Sequence, residues 1–268
     1  MAIHPTAVVA PGAVIAASAE IGPYCIIGSN VTIADGCRLA AHVNVDGHTQ
    51  IGAGTVVAPF ASLGGRPQST SYRGEPTRLV IGANCDIRES VTMNRGTAEG
   101  RGVTEVGNNG FFMAYSHVGH DCRVGDNVIF ANGATLGGHC VIGDHVFMGG
   151  LSAAHQFTWI GAHAMVSGIT GIRGDVIPFA RVFGSVGRLN GINSLGMRRR
   201  AFSPDSIRAV RAAYHMLFRG DGLLADRVNA VAAAHGHDPG VAAIVAFVRA
   251  PRKRPLCQPT RGGVERED

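Results

Sequence analysis

Apolar residues return every six positions along this chain. Ile3, Val9, Ile15, Ile21, Ile27, Ile33, Leu39, Val45, Ile51, Val57 and Leu63 share one register. It resumes at Ile81, Ile87 and Met93. It then runs from Val106 through Phe112, Val118, Val124, Phe130, Leu136, Ile142 and Met148 to Ile160, Val166 and Ile172. Neither an α-helix nor an ordinary sheet needs that period. It marks a solenoid whose repeat is one short strand and one turn. Three hexads close a triangular coil, so residues 18 apart stack in adjacent coils, with strands about 4.8 Å apart. Gly22, Gly28, Gly52, Gly82, Gly107, Gly125, Gly143 and Gly161 directly follow register residues. They are expected to supply the backbone angles of tight corners.

Polar segments at 64–79 and 94–105 interrupt the register. Insertions in a solenoid become loops on one face, often the binding face. After Pro178 the pattern dissolves. Ser203-Pro204 reads as a cap followed by proline at the first helical position. Ile207, Val210, Ala213, Tyr214, Leu217 and Phe218 then follow helical spacing. Two more helices are expected near 223–235 and 239–249. The division expected is a β-helix over 1–190, a small helical domain over 191–250 that caps the open coil, and a loose, Pro- and charge-rich tail over 251–268.

Composition adds limits. A net charge of +5 is compatible with an acidic or phosphorylated partner and does not indicate nucleic-acid binding. Lys253 is the only lysine, which reads as compositional bias. The first residues enter the repeat without a basic signal-peptide region, and no apolar run is long enough to span a bilayer. A cytoplasmic protein without stable membrane insertion is expected. Cys25, Cys37, Cys85, Cys122 and Cys140 each lie four places after a register residue, where other hexads carry Ala, Val or Thr. They are expected to be reduced, inward-facing small hydrophobes, not disulfides or metal ligands.

Six of the twelve histidines fall between 117 and 163. His139, His145 and His163 share one hexad position with His42 and His48. His145 and His163, 18 apart, should stack as an ordinary ladder. His120 directly precedes Asp121. The register places Gly138 beside His120 and His139 beside Asp121 in the next coil. A histidine with a carboxylate at hand fits a general base, and a glycine N–H fits an oxyanion donor. Spacing alone does not separate this from a structural histidine. A zinc site on His117, His120 and a third histidine is the other chemistry these residues permit. Gamma-class carbonic anhydrases bind zinc between subunits of such solenoids, but one chain here offers an incomplete ligand set. No metal and no cofactor are expected.

Specific stretches resemble a known family. They are Arg73-Gly-Glu-Pro-Thr-Arg78, Ile87-Arg-Glu-Ser-Val-Thr92, Arg95-Gly-Thr97, His117-Val-Gly-His-Asp-Cys122, Ala154-His-Gln-Phe157, Ile160-Gly-Ala-His163, and Arg199-Arg200 before Phe202-Ser203. From Ile3 to about Arg249 the chain resembles the UDP-N-acetylglucosamine 3-O-acyltransferases of lipid A biosynthesis. The resemblance implies a left-handed parallel β-helix with a C-terminal helical domain, and a homotrimer with sites between subunits. It implies transfer of a (R)-3-hydroxyacyl group from acyl carrier protein to the 3-hydroxyl of a UDP-sugar. By that resemblance His120 is the base, Asp121 its support and Gly138 the oxyanion donor. His117, His139, His155, Gln156 and Asn193 contact the substrate, Arg199 and Arg200 its phosphates, and Gly168 limits acyl length.

Four places depart from the family pattern. Following Gln68, an Asp and then a Lys are replaced by Ser69 and Ser71. Asn94 stands for a His, and Leu195 for a Glu. The hydroxyls and the amide still form hydrogen bonds but carry no charge. Beside the acyltransferase reading stand two alternatives. One is a paralogue with another sugar-nucleotide acceptor; the other is a non-catalytic trimer that binds a sugar nucleotide or carrier protein. A metal-dependent hydratase is the third class.

Overall fold

The structure is a computed structural model, and it describes residues 2–260. Two-residue strands follow one another around a triangular prism, each pointing one side chain out and the next in. Ile21, Ile27, Ile33 and Leu39 fill the interior, while Glu20, Ile26, Thr32 and Arg38 face outward. Three parallel sheets form the faces. The first has eleven strands beginning at Ala2–Ile3, the second nine beginning at Val8–Val9, and the third eight beginning at Val14–Ile15. Stacked residues are 18 apart, as Val118 on Leu136. The inserted segments lengthen two coils without breaking the stack, since Leu63 still pairs with Met93 and Met93 with Val118. Removing each Ile or Leu of the inner columns from water contributes about 1.5–3 kcal/mol.

The prism has three edges, here numbered by the sheet they follow. Most turns hold one left-handed residue, and that residue is mostly not glycine. On the first edge it is Tyr24, Phe60, Tyr115 or Leu151. On the second it is Asp121, His139 or Phe157. On the third it is Asn127, His145 or His163. The glycines after register residues therefore serve another purpose than the one their position suggests. A Cβ on Gly22 would lie 2.8 Å from the Ala40 backbone, and one on Gly52 would lie 2.5 Å from that of Gly82. They are small because successive coils touch there.

All six cysteines are free and buried. Five do more than fill space, since each donates its thiol to a carbonyl of the next coil: Cys25 to Ala40, Cys37 to Gly52, Cys85 to Gly107, Cys122 to Gly137 and Cys140 to His155. His48 sits in the strand His48–Ile51, not in a corner, because Gly47 takes the left-handed turn.

The solenoid continues past Pro178. Ala180–Phe183 still pairs in parallel with the coil before it, and Arg188–Ile192 folds back antiparallel. Four helices follow: α1 (Ser194–Arg199), α2 (Pro204–Arg219), α3 (Leu224–His235) and α4 (Pro239–Arg249). The short α1 lacks the hydrophobic period that betrays the others; Asn193 caps it by accepting the Gly196 N–H at 3.0 Å. Ser203 caps α2, which buries Ile207, Val210, Ala213, Tyr214 and Leu217. The expected loose tail is not loose from 251 to 260. Leu256 and Cys257 are buried there, and Asp175 pairs with Leu256. Residues 261–268 of that tail lie outside the described residues. No helix among the described residues is long and apolar enough to cross a membrane.

Candidate active site

Both insertions leave the solenoid at the second edge. One joins Ser62–Gly65 of the second sheet to Arg78–Ile81 of the third; the other joins Thr92–Asn94 to Val103–Val106. The next turn on that edge carries His120 and Asp121, and the two after it carry Gly138-His139 and Gln156-Phe157. One edge thus collects His120, Asp121, Gly138 and His139, the candidates that the register places together.

His120 Nδ1 lies 2.8 Å from Asp121 Oδ2. Asp121 is buried and sits at the base of the second insertion. Burial by itself drives its carboxyl pKa upward, but the His120 contact, the Thr97 hydroxyl and the backbone N–H groups of Thr97 and Arg101 overcome that and hold it at about 2. Asp121 is therefore an anion in any ordinary assay. Its charge keeps the proton of neutral His120 on Nδ1, leaving a lone pair on Nε2. The insertion is built around this carboxylate: a Cβ on Gly100 would fall 2.5 Å from it. Thr97 and Arg101 were not singled out by spacing. In the sequence Thr97 is marked only by the Arg95-Gly-Thr97 stretch, and Arg101 lies outside it.

Gly138 stacks on His120. A Cβ there would lie 2.6 Å from both Cε1 and Nε2 of the imidazole, so the backbone of one coil meets the reactive face of the ring in another. Among the described residues the Gly138 N–H has no hydrogen-bond acceptor. His139 crosses His120 edge-on at 4.9 Å between centroids, and Phe157 stacks on His139 at 4.4 Å. Burial shifts His139 toward the neutral form. Beside the edge, His117 Nδ1 meets the Thr92 hydroxyl at 2.7 Å, and burial again lowers its basicity.

His120, Asp121 and His139 have the spacing of a metal site, with ligand atoms within 4.8 Å of one another. The donor set does not fit one. Both Asp121 oxygens already accept from Thr97, Arg101 or His120, so a cation would have to displace the groups that shape the loop.

Gln68, Ser69 and Asn94 line one cavity of about 580 Å³ under the first insertion. Ser69 and Ser71 hydroxyls hydrogen-bond each other at 2.9 Å, and Ser71 donates to Glu99. Asn94 donates to the Arg66 carbonyl, while its own buried oxygen has no partner. His155 Nδ1 accepts from Arg254 at 2.6 Å, which puts the proton of that ring on Nε2. A larger cavity, about 700 Å³, lies on the first sheet near Glu20, Arg38 and Asp86 and contains none of these residues.

The remaining candidates lie elsewhere in the chain. Asn193 and Arg200 are on the third edge, bonded to the carbonyls of His163 and His145. His145 and His163 stack there as expected, and the stack extends to Phe179. Arg199 and Leu195 are exposed on α1. Gly168 is on the first edge beside Gly150. A single chain therefore spreads the proposed substrate contacts over three edges of one prism.

Residues 175–257 match the family described as UDP-N-acetylglucosamine O-acyltransferase, domain 2, and residues 2–35 and 104–138 match the bacterial transferase hexapeptide repeats. The chain is 58% identical to the acyl-(acyl carrier protein)–UDP-N-acetylglucosamine O-acyltransferase of Azorhizobium caulinodans, over 99% of this chain and 98% of the relative. Identity to the enzyme of that name from Caulobacter vibrioides is 50%, over 97% and 99%. A crystal structure of UDP-N-acetylglucosamine O-acyltransferase from Moraxella catarrhalis superposes with a TM-score of 0.94 at 39% identity, covering 96% of this chain and all of that one.

Proposed function

This chain belongs to the UDP-N-acetylglucosamine O-acyltransferase family, and from that premise we propose how its residues move an acyl group from acyl carrier protein to UDP-N-acetylglucosamine. The observation that carries the mechanism is the His120–Asp121 pair with Gly138 against the free face of the imidazole. His120 Nε2 takes the proton of the sugar 3-hydroxyl as its oxygen attacks the thioester carbonyl. Asp121 holds the ring and stabilises the imidazolium. Negative charge gathers on the carbonyl oxygen, where the Gly138 N–H donates to it. The carbon–sulfur bond then breaks, and the departing thiolate takes the proton from His120. The acyl group is a (R)-3-hydroxyacyl chain, and the transfer is the first step of lipid A biosynthesis. No step calls for a cofactor.

The contacts spread over three edges meet when three copies stand side by side. A homotrimer that sets the second edge of one subunit against the first and third edges of its neighbours lets Arg199, Arg200 and Asn193 reach the diphosphate and nucleoside, and Gly168 bound the acyl chain. A closed three-fold ring repeats that contact three times. The Ser69–Ser71 pair favours one variation on this reading: an acceptor sugar held by neutral donors, in place of the Asp and Lys of the family pattern.

The test is a transfer assay with UDP-N-acetylglucosamine, other UDP-sugars and 3-hydroxyacyl carrier proteins of several lengths. Transfer to UDP-N-acetylglucosamine is expected; binding without transfer to any sugar refutes the reading. Mixed trimers test the shared site. His120→Ala and Arg200→Ala, each inactive alone, are expected to recover about a quarter of wild-type activity when co-assembled in equal amounts, since each interface combines two chains. Absence of any recovery places both residues in one chain's site.

A further inference from the structure

The segment after α4 is a strap fixed to the second edge. Asp175 donates its N–H to the Pro255 carbonyl and accepts the Cys257 N–H, both at 2.8 Å. Its buried carboxylate faces Arg252 Nε at 3.7 Å. Gly174 allows the close approach, because a Cβ there would lie 2.8 Å from the Pro255 carbonyl oxygen. Arg254 completes the clamp through the Gln156 carbonyl at 3.1 Å and His155 Nδ1. These contacts leave Lys253 Nζ 4.2 Å above the Phe157 ring. Phe157 stacks on His139, and His139 crosses His120. Lys253 is thus the fourth member of a row that begins at the proposed base.

Three consecutive cations come down on this edge, and among the described residues the one carboxylate meeting them is Asp175, which faces Arg252. Among the described residues no carboxylate pairs with Lys253, and its side chain is exposed. An ammonium held over an aromatic face keeps its outward N–H groups free for an anion. Both substrates of the proposed reaction carry phosphate: the diphosphate of the sugar nucleotide and the phosphodiester at the root of the carrier protein's arm.

We propose that the 251–257 strap is part of the substrate site, with Lys253 binding a substrate phosphate and Arg254 holding the strap in register as a positioning residue. The proposal rests on the acyltransferase reading. It turns the lone lysine from a compositional remnant into a specificity element.

Steady-state kinetics of Lys253→Gln and Lys253→Arg test it. Lys253→Gln is expected to raise KM for one phosphate-bearing substrate about tenfold, the loss of one charge-assisted contact, with kcat changed far less, and Lys253→Arg to restore most of it. A rise confined to the sugar nucleotide assigns the diphosphate. A rise for acyl carrier protein that vanishes with a phosphate-free acyl thioester assigns the carrier's arm. Gly174→Val lifts the strap without touching either cation and is expected to reproduce the KM change. Unchanged KM for both substrates in Lys253→Gln overturns the proposal. Should the wild-type protein show no transfer, the acyltransferase reading fails. Calorimetric titration of UDP-N-acetylglucosamine and of phosphopantetheine into wild type and Lys253→Gln then decides the lysine's role, equal affinities for both ligands counting against it.

Discussion

His120→Ala is expected to reduce acyl transfer by about 10³-fold or more, the upper range for removing a positioned general base, while the protein still folds. The fold survives because Asp121 does not depend on His120 alone. Thr97 supplies two donors and Arg101 a third, so the buried carboxylate keeps most of its hydrogen bonds. The stability loss should be about 1 kcal/mol, that of one hydrogen bond with its other partners intact. Activity lost with the melting profile preserved identifies a catalytic role. Full turnover by the variant removes His120 from the mechanism. Asp121→Asn is the contrasting case. It strips the loop at Thr97 and Arg101 of its anion as well as leaving His120 without its orienting charge, so stability and turnover should fall together.

The difference between these two variants also shows what the sequence makes legible. The six-residue period defines the coil, and its multiple of three brings His120 to Gly138 and Asp121 to His139 before any coordinates are known. It also predicts which cysteines face inward. Register fails where the chain leaves the coil. The Thr97 and Arg101 amides that hold Asp121 come from an insertion whose path no period describes. The strap at 251–257 is polar and proline-rich like a free tail, yet backbone hydrogen bonds to Asp175, invisible to side-chain pattern, tie it down. Helix α1 is too short to show an amphipathic period, and its Asn193 serves as a cap, which a ligand-based reading had not assigned to it. Glycines misled in a different way. Their positions after the register residues suggest flexible corners, but the left-handed turns fall two places later, and the glycines are spacers between coils. Inference along a coil is therefore secure, and inference across loops needs the structure.

Gly138→Ala follows from the same spacing and should strike the proposed chemistry directly. At most corners a glycine faces backbone of the next coil; at 138 it faces the imidazole of His120. The added Cβ would sit 2.6 Å from Nε2, the atom proposed to take the proton, and 2.6 Å from Cε1. The ring is not free to swing away, because Nδ1 is tied to Asp121 and the imidazole packs edge-on with His139. Either His120 rotates away from the acceptor or the Gly138 backbone withdraws, carrying its N–H with it. Both displace a reacting group by a substantial fraction of an ångström, and a misplacement near 1 Å costs about 10²-fold in rate. With base and oxyanion donor disturbed at once, kcat is expected to drop by about 10²–10³-fold. KM for the sugar nucleotide should change little, since the proposed phosphate ligands Arg199, Arg200 and Lys253 are not among the atoms the added methyl meets. Overpacking at this site should lower stability by about 1–3 kcal/mol, so thermal unfolding of the variant separates a distorted site from a misfolded chain. A Gly138→Ala enzyme within threefold of wild-type kcat means that neither His120 Nε2 nor the Gly138 N–H is where the reaction takes place.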